Sequence, residues 1–330
     1  MVIKTQAYPR AALIGNPSDG YYGKTIAFVF KNFRAEVELT PSDKLQIVPC
    51  GRERLLFYDI DDLADEISSN GYYGGTRLIK ATIKVLHQYC KQHNIEIPIK
   101  NFTLSYDSNI PGRLGLAGSS AIITAAITAL LQFYDIEIPK PVLANIILSA
   151  EKDELHIGAG LQDRVAQVYA TPVYMNFDKK LMDKQGYGDY IPFDKSLLPN
   201  LYLAYRTNLS EGSEVTHNNL AARYKKGDAD VLRAIEQWRQ LTDAVWHKLK
   251  HGDKDIAALI NQNFDIRNNT ITISKGNKQL VETARAVGAS AKFTGSGGAI
   301  IGTYTNEDMF QQLSTAMHSI GAEVIKPDIA

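Results

Sequence analysis

The stretch of sequence that decides the fold is Pro111-Gly112-Arg113-Leu114-Gly115-Leu116-Ala117-Gly118-Ser119-Ser120-Ala121. The residues after it predict a helix, because apolar side chains recur at three- and four-residue steps: Ile123, Ile127, Leu130 and Tyr134. A glycine-rich loop that leads into a helix presents unpaired N–H groups and the positive end of the helix dipole, and both favour bound phosphate. An ordinary loop with a serine cap on the helix is the alternative interpretation.

Two further features of this loop narrow its chemistry. No Gly-Lys-Ser/Thr follows the glycines, and the spacing differs from G-x-G-x-x-G, so neither a P-loop nor a dinucleotide fingerprint is present. The adjacent hydroxyls of Ser119 and Ser120 are candidates to cap the helix, and one of them to reach a metal ion bound to a nucleotide.

A pair of carboxylates forms the second candidate motif. Glu151 closes one helical pattern in A-E-K-D-E, and Asp163 opens the next in G-A-G-L-Q-D-R. Near a phosphate loop, one carboxylate would hold Mg²⁺, which prefers oxygen ligands. The other would accept a proton from an attacking hydroxyl. A solvated acidic helix face is the alternative.

The third motif is a small-residue string near the end of the chain, A-K-F-T-G-S-G-G-A at residues 291–299. Beside a bound nucleotide it would be a second loop closing over the phosphates. Taken alone, it also fits a tight connection between two strands.

Strand and helix patterns alternate along the whole chain. Period-two patterns predict strands at residues 10–14, 25–30, 35–39, 45–48, 55–58, 102–106, 173–176, 201–205, 291–294, 299–304 and 323–326. Helical periodicity predicts helices at residues 59–69, 76–93, 141–154, 161–169, 213–226, 229–250, 256–263, 278–287 and 307–320.

The order of these elements favours an α+β protein with two lobes over a doubly wound parallel sheet. Polar, turn-rich sequence at residues 178–199 predicts the boundary, which divides the chain into residues 1–177 and 178–330.

Composition excludes several functional classes. The chain has 330 residues with 36 basic and 36 acidic side chains, a balance that argues against a general nucleic-acid binder. The longest apolar run, around residues 121–133, is too short and too polar to span a membrane. Two cysteines, seven histidines without ligand spacing and no apparent secretory signal predict a cytoplasmic protein without a disulfide framework or a transition metal.

The three motifs together resemble the GHMP kinase superfamily, named for galacto-, homoserine, mevalonate and phosphomevalonate kinases. That superfamily has an acceptor motif, a central P-x-x-x-G-L-G-S-S-A phosphate loop and a C-terminal glycine-rich motif. Here Ala117 is an extra residue in the central loop, and residues 15–19 read G-N-P-S-D where galactokinases carry G-E-H-T-D. Within the superfamily the chain looks like the glucuronokinases, on the strings GNPSDGYYGKTIAF, NGYYGGTRL, LSYDSNIP, GLAGSSAI, AGLQDRVAQVY, NFDIR and KFTGSGGA.

The resemblance implies the two-lobed GHMP kinase fold, with an N-terminal lobe like ribosomal protein S5 and a C-terminal ferredoxin-like α+β lobe. It implies an ATP- and Mg²⁺-dependent kinase that phosphorylates the anomeric oxygen of D-glucuronate. By motif position Asp163 would be the base and Arg10 its basic neighbour, while Ser120 and Glu151 would hold Mg²⁺. The remaining implied contacts are with the nucleotide at Gly115, Gly118, Ser119, Gly295, Ser296 and Gly297, and with the sugar at Asn16, Ser18, Asp19 and Arg113.

Some alternatives remain open at the level of sequence. A uronate needs a cation or several donors for its carboxylate, and the candidates are Lys24, Arg77, Arg113 and Arg164. Another GHMP small-molecule kinase is the alternative enzyme, and a sugar- and nucleotide-binding regulator is the alternative outside enzymes. The sequence leaves the oligomeric state open.

Overall fold

The part of the chain that the computed structural model describes is residues 2–50, 59–60, 74–207 and 220–330. The predicted strand 55–58 lies outside the described residues, as do nearly all of the predicted helix 59–69 and the first part of the predicted helix 213–226.

The strands in the described ranges are short and mostly antiparallel. They are β1 (Ile3–Ala7), β2 (Arg10–Ile14), β3 (Lys24–Val29), β4 (Ala35–Ser42), β5 (Gln46–Val48), β6 (Asn101–Ser108), β7 (Val173–Asn176), β8 (Asp189–Pro192), β9 (Leu201–Tyr205), β10 (Lys292–Phe293), β11 (Ala299–Thr303) and β12 (Glu323–Ile325). The alternating A-E-V-E-L string lies in β4, where its alanine, valine and leucine are buried and its glutamates face outward.

The helices in the same ranges are α1 (Gly75–Gln92), α2 (Gly118–Tyr134), α3 (Lys140–Ser149), α4 (Leu161–Tyr169), α5 (Lys179–Gln185), α6 (Ala229–Lys250), α7 (Ala257–Thr270), α8 (Lys275–Ala286) and α9 (Glu307–Ser319). A π-helical turn, Ala150–Glu154, extends α3. Short 3-10 turns lie at Ser18–Tyr21 and Lys195–Leu197.

Three four-stranded sheets organise the described residues, in the orders β1-β4-β6-β5, β2-β3-β7-β8 and β10-β11-β9-β12. Neighbouring strands are antiparallel in every pair except β5 with β6. Antiparallel sheets with helices packed on them confirm the predicted α+β class.

Helix α2 is the buried axis of the first part of the chain. Its alanines and isoleucines are buried on nearly all sides, and it packs against β1 and β4. The Thr5 hydroxyl donates to the carbonyl of Ala125 at 2.7 Å. The loop before α2 lies against β2, because the backbone N–H of Arg10 donates to the carbonyl of Leu116 at 3.0 Å. The fold therefore places the predicted phosphate loop beside Arg10.

Helices α6 and α7 bring the C-terminal sheet to the same place. Helix α6 packs on β2 and β3, and α7 packs on β2, β10 and β11. The backbone N–H of Ala12 donates to the carbonyl of Thr294 at 3.1 Å. The third motif thus meets β2 next to the phosphate loop.

The predicted boundary segment holds regular structure. Asp178 caps α5 by accepting from the backbone N–H groups of Lys180 and Leu181, at 2.9 and 3.3 Å. Strand β8 then pairs with β7, so the sheet of β2, β3 and β7 continues beyond residue 177. The division into residues 1–177 and 178–330 stays a prediction.

Within the described ranges, none of the helices combines the length and the apolar character that crossing a bilayer would require.

Candidate active site

Arg10 is the residue at which the predicted motifs meet. It begins β2, and its side chain is buried. Its Nε donates to Oδ1 of Asp163 at 2.8 Å, and its Nη2 lies 2.7 Å from the same oxygen. Its Nη1 donates to the carbonyl of Gly115 at 3.1 Å and to the carbonyl of Thr294. One guanidinium therefore joins the carboxylate motif, the phosphate loop and the C-terminal loop.

Asp163 lies in the first turn of α4 with both carboxylate oxygens engaged. Arg10 contacts Oδ1, and Nη1 of Arg164 donates to Oδ2 at 3.2 Å. The Asp163 side chain nevertheless keeps 18% of its surface exposed, whereas both arginines are almost wholly buried. The carboxylate is therefore held in a fixed orientation while one part of it remains open to a ligand.

Asp19 brings a second carboxylate to Asp163 from the 3-10 turn that follows β2. Its Oδ2 lies against Gly160, where a Cβ would come within 2.1 Å of it. Burial raises the pKa of Asp19 to about 6 and the negative charge of Asp163 adds to this, while Arg10 and the N–H of Gln162 act in the opposite direction. A carboxylate with a raised pKa thus lies close to Asp163, and perturbed carboxylates are common at catalytic sites.

The phosphate loop and the third motif touch each other, backbone against backbone. A Cβ on Gly115 would lie 2.6 Å from the backbone nitrogen of Ser296, and Gly115 also has a φ of +63°. A Cβ on Gly295 would lie 2.3 Å from the carbonyl oxygen of Gly115. Glycine is required at both positions by this close approach.

The start of α2 differs from the expected serine cap. Ala117 is the N-cap, in the left-handed conformation with a φ of 61°, and it makes no side-chain cap. Ser120 is buried, and its hydroxyl donates to the carbonyl of Ala117 at 3.1 Å. Ser119 instead donates to Oε1 of Glu151 at 2.6 Å. The capping prediction was wrong because neither hydroxyl points at the free N–H groups of the first turn.

Glu151 is fully buried in the π-helical turn, between Ser119 and Arg164. Its Oε2 forms an ion pair with Nη2 of Arg164, whose Nη1 also donates to the carbonyl of Gly160 at 2.8 Å. Burial lowers the pKa of Arg164 to about 9, with a further contribution from the positive charge of Arg10. Arg164 therefore links Glu151 directly to Asp163.

Glu151 is a candidate ligand for a divalent cation shared with a substrate, which would have to displace the contact of its carboxylate with Ser119 or with Arg164. Among the described residues no group of three or more His, Cys, Asp and Glu side chains could hold a metal by itself. Mg²⁺ usually takes only one or two carboxylates and completes its shell with water and substrate phosphates. Glu151 and the neighbouring serine hydroxyls supply oxygen donors of that kind next to the phosphate loop.

Other predicted site residues are placed differently. Asn16 is buried and donates to the carbonyl of Phe293 at 3.3 Å, and its Oδ1 is buried with no partner among the described residues. The Ser18 hydroxyl donates to the carbonyl of Lys24 at 3.0 Å and so closes its own turn. Arg113 is exposed, with a φ of 58°. Substrate contact by these three residues stays a prediction.

The cationic residues that the sequence offers for the sugar carboxylate lie at different places in the structure. Arg164 is committed to Glu151 and Asp163, and Lys24 forms an ion pair with Asp243 at 2.7 Å. Arg77 lies in the first turn of α1. None of these placements by itself selects a carboxylate partner.

Two polar residues of α7, to which the sequence assigns no role, hold the motifs in place. Asn263 accepts from the backbone N–H of Gly15 at 2.7 Å, and Arg267 donates to the carbonyls of Gly295 and Ser296 at 2.7 and 2.8 Å. The signal that could have found them is the NFDIR string, which contains both.

The whole chain is similar to proteins of known family. Residues 77–171 match the family described as GHMP kinases N terminal domain. The chain is 44% identical over 306 residues to Glucuronokinase 1 of Arabidopsis thaliana, an alignment that covers 91% of this chain and 84% of that protein. Probable glucuronokinase 2 of the same plant is 44% identical over 308 residues, with the same coverage of both chains.

Solved structures with low sequence identity share the fold. The galactokinase of Lactococcus lactis in complex with galactose superimposes with a TM-score of 0.75 at 15% identity, covering 99% of this chain and 93% of that one. The mevalonate kinase of Methanococcus jannaschii superimposes with a TM-score of 0.70 at 17% identity, covering 100% and 98%. The chain therefore belongs to the GHMP kinases, within the glucuronokinase family, and it is a phosphotransferase.

Proposed function

We propose that the protein is an ATP- and Mg²⁺-dependent sugar 1-kinase that converts D-glucuronate and ATP into D-glucuronate 1-phosphate and ADP. The observation that carries this proposal is the buried Arg10, which joins Asp163 to the phosphate loop and to the C-terminal loop. The 44% identity to the plant glucuronokinases supports the choice of substrate.

Asp163 is proposed to take the proton from the anomeric hydroxyl. As the proton moves to the carboxylate, the anomeric oxygen forms a bond to the γ-phosphorus, and the bond from that phosphorus to the bridging oxygen breaks to leave ADP. Phosphoryl transfer depends mainly on positioning and charge neutralisation. Arg10 supplies both, because it fixes one oxygen of Asp163 and brings a positive charge to the point where the loops meet.

Glu151, with the hydroxyl of Ser119 or Ser120, is proposed to hold Mg²⁺. When bound, Mg²⁺ would neutralise charge on the β- and γ-phosphates. Ser119 already contacts Glu151 at 2.6 Å, whereas Ser120 is turned toward Ala117. The contact favours Ser119 as the hydroxyl nearer to this role. Arg164 forms an ion pair with Glu151 and orients its carboxylate.

The remaining site roles are proposed as the sequence predicts them. Gly115, Gly118 and Ser119 would line the phosphates from one side, and Gly295, Ser296 and Gly297 from the other. Asp19 would accept hydrogen bonds from sugar hydroxyls beside Asp163. Arg113 is proposed for the uronate carboxylate, because a guanidinium can bind a carboxylate through two parallel hydrogen bonds. The two lobes, 1–177 and 178–330, and a cytoplasmic location belong to the same proposal.

A substrate panel tests the function. Purified protein with ATP and Mg²⁺ is assayed with glucuronate, galacturonate, glucose and galactose. The proposal predicts the highest kcat/KM for glucuronate. A preference for a neutral sugar would indicate another GHMP kinase, and ATP binding without any sugar-dependent ADP release would indicate a regulator. Either result would contradict the proposal.

The contact between the two glycine loops predicts a strong effect of one methyl group. Gly295→Ala places a Cβ 2.3 Å from the carbonyl oxygen of Gly115, so the loops must separate. A displacement of this size is expected to lower kcat/KM for ATP by about 10²-fold. Gly112→Ala is the control in the same region, because a Cβ there meets nothing within 4 Å. Equal kinetics for the two variants would show that the loop contact has no role.

The raised pKa of Asp19 predicts pH-dependent sugar binding. Asp19 loses its charge as the pH falls through about 6, and a neutral carboxyl is a weaker acceptor for sugar hydroxyls. KM for the sugar is therefore expected to rise by about tenfold below that pH. Initial-rate kinetics across this range test the expectation. In Asp19→Asn, KM should be high at every pH, and a wild-type pH profile in this variant would exclude Asp19.

The same shift predicts an opposite effect on stability. A carboxyl whose pKa is higher in the folded state than in the unfolded state destabilises the fold when ionised. That penalty is complete above pH of about 6 and disappears as the pH falls to the ordinary value of 3.8. Asp19→Asn is therefore expected to raise Tm at neutral pH but to leave it unchanged near pH 3.8. Thermal unfolding followed by circular dichroism checks this, and a lower Tm at neutral pH would contradict it.

A further inference from the structure

Helix α7 carries two buried polar residues one turn apart, Asn263 and Arg267. Polar side chains are rarely buried in a helix unless their hydrogen-bonding groups are used. Residues four apart lie on the same helix face, so both point toward one side of α7. Asn263 bonds to the turn at residues 15–19, whereas Arg267 bonds to the C-terminal glycine loop.

Asn263 holds the turn at residues 15–19, which carries the side chains proposed to bind the sugar. Its Oδ1 accepts from the backbone N–H of Gly15 at 2.7 Å, and its Nδ2 donates to the carbonyl of Asn16 at 3.2 Å. The backbone of Asn263 is itself fixed, because Trp238 of α6 donates to its carbonyl at 3.2 Å. The turn that carries Asp19 therefore begins at a point set by α7.

Arg267 holds the C-terminal glycine loop. It donates to the carbonyls of Gly295 and Ser296, and its guanidinium stacks 4.9 Å from the centre of the Phe293 ring. In a planar trans peptide the N–H points opposite to the C=O. The N–H groups of Ser296 and Gly297 therefore point away from Arg267, and the backbone nitrogen of Ser296 lies close to Gly115 of the phosphate loop.

The charge of Arg267 is not neutralised within the described part of the chain. No carboxylate there forms an ion pair with it, and its hydrogen bonds go to carbonyl groups. Burial lowers the pKa of Arg267 to about 10, so the guanidinium stays positive at neutral pH. A buried positive charge without a carboxylate partner favours an anion close by. The C-terminal glycine loop that Arg267 contacts, together with the phosphate loop packed against it, is the candidate anion site beside this charge.

We propose that α7 positions both substrates of the reaction. Asn263 fixes the turn at residues 15–19, which binds the sugar. Arg267 fixes the C-terminal glycine loop, which binds the nucleotide, and supplies positive charge to it. This inference rests on the proposed function for the assignment of the two loops. Neither residue is a catalytic residue, because each acts through the backbone that it holds.

Substitutions at the two positions should each weaken the binding of a different substrate. Arg267→Gln removes the charge and the paired donors, and it is expected to raise the Kd for ADP about tenfold while KM for the sugar stays unchanged. Asn263→Ala removes the contacts with Gly15 and Asn16, and it is expected to raise KM for the sugar about tenfold while the Kd for ADP stays unchanged. Isothermal titration calorimetry with ADP measures the first quantity without any turnover.

Conservative variants and a control make the test independent of folding. Arg267→Lys keeps the charge but loses the two-pronged geometry, so it should fall between wild type and Arg267→Gln in ADP affinity. Asn263→Ser keeps a short hydroxyl group, so its KM for the sugar should lie between the values of wild type and Asn263→Ala. Asn269→Ala alters an exposed position on the same helix and should change neither constant. Circular dichroism confirms that each variant is folded.

The outcomes are distinct. A nucleotide effect confined to position 267 and a sugar effect confined to position 263 support the proposal. If both variants weaken both substrates equally, or neither changes either constant, α7 is only a structural support and the inference is overturned. If wild type binds ADP but phosphorylates no sugar, the proposed function fails, and the ADP titration still decides the role of Arg267.

Discussion

Asp163→Asn is expected to lower kcat by about 10²–10⁴ while ADP binding survives, since a positioned base contributes about that factor. The amide can still occupy the space beside Arg10 and Arg164, but it cannot accept the proton of the anomeric hydroxyl. Both contacts of the present carboxylate, at 2.8 Å to Arg10 and 3.2 Å to Arg164, are with donors, so an amide oxygen can keep one of them. Steady-state kinetics and calorimetry with ADP provide the two measurements.

Asp183→Asn is the matched control for this variant. Asp183 lies exposed on α5 and pairs with Lys179 on the surface, so its loss of charge should leave kcat unchanged. Turnover by Asp163→Asn at the wild-type rate would exclude Asp163 as the base. Loss of both ADP binding and turnover would show that the substitution disrupts the structure of the site and not only the proton transfer.

Arg10→Met is expected to have the second large effect, and to affect both catalysis and stability. The buried guanidinium contacts Asp163, Gly115 and Thr294, so its removal leaves a carboxylate and two carbonyls without this donor. Loss of one partner of a buried ion pair costs about 3–5 kcal/mol of stability. Loss of preorganised positive charge at the reacting groups is expected to lower kcat by about 10²–10³.

Two measurements separate these effects. Urea denaturation gives the change in free energy of unfolding, and kinetics well below Tm give kcat for the folded variant. Arg34→Met is the control, because the exposed Arg34 side chain pairs with Glu36 at the surface and its removal should have little effect on either quantity. In the double variant with Asp163→Asn, the two losses in kcat should be far from additive, since the residues act as a unit. Additive losses would contradict a joint role.

Local sequence predicted the loops and most regular elements because their signals are local. Glycine spacing, alternation in β4 and helical periodicity in α4 and α6 depend on neighbours in the chain. The meeting of these elements at Arg10 does not. Its partners lie 105, 153 and 284 residues away, and only the packing of three sheets brings them together. The resemblance to a family placed Arg10 beside Asp163, a relation that spacing alone would not give.

The choice between Ser119 and Ser120 shows a finer limit. Adjacent residues on a helix point in directions that differ by about 100°, so only one of the two hydroxyls can face Glu151. The sequence identifies the pair, but which one reaches Glu151 depends on how α2 is rotated in the core. Packing against β1 and β4 sets that rotation and directs Ser119 to Glu151.

Helix α7 was predicted to end at residue 263, yet it continues to Thr270. The apolar pattern stops there because Asn263 and Arg267 occupy positions on the buried face. Helical periodicity assigns polar residues to the exposed face of a helix. This assignment fails where a polar side chain on the buried face bonds to the backbone of a loop. The break in the apolar pattern therefore marks the candidate site, because these polar side chains bond to the turn at residues 15–19 and to the C-terminal glycine loop.

The most direct test of the account identifies the product. Protein, ATP, Mg²⁺ and D-glucuronate are incubated together, and the product is examined by phosphorus and carbon NMR, with Asp163→Asn as the parallel sample. The proposed function predicts a single phosphate coupled to the anomeric carbon, labile to acid and stable to alkali, and its near absence in the variant sample. A phosphate on any other carbon, or an equal yield from the variant, would contradict the account.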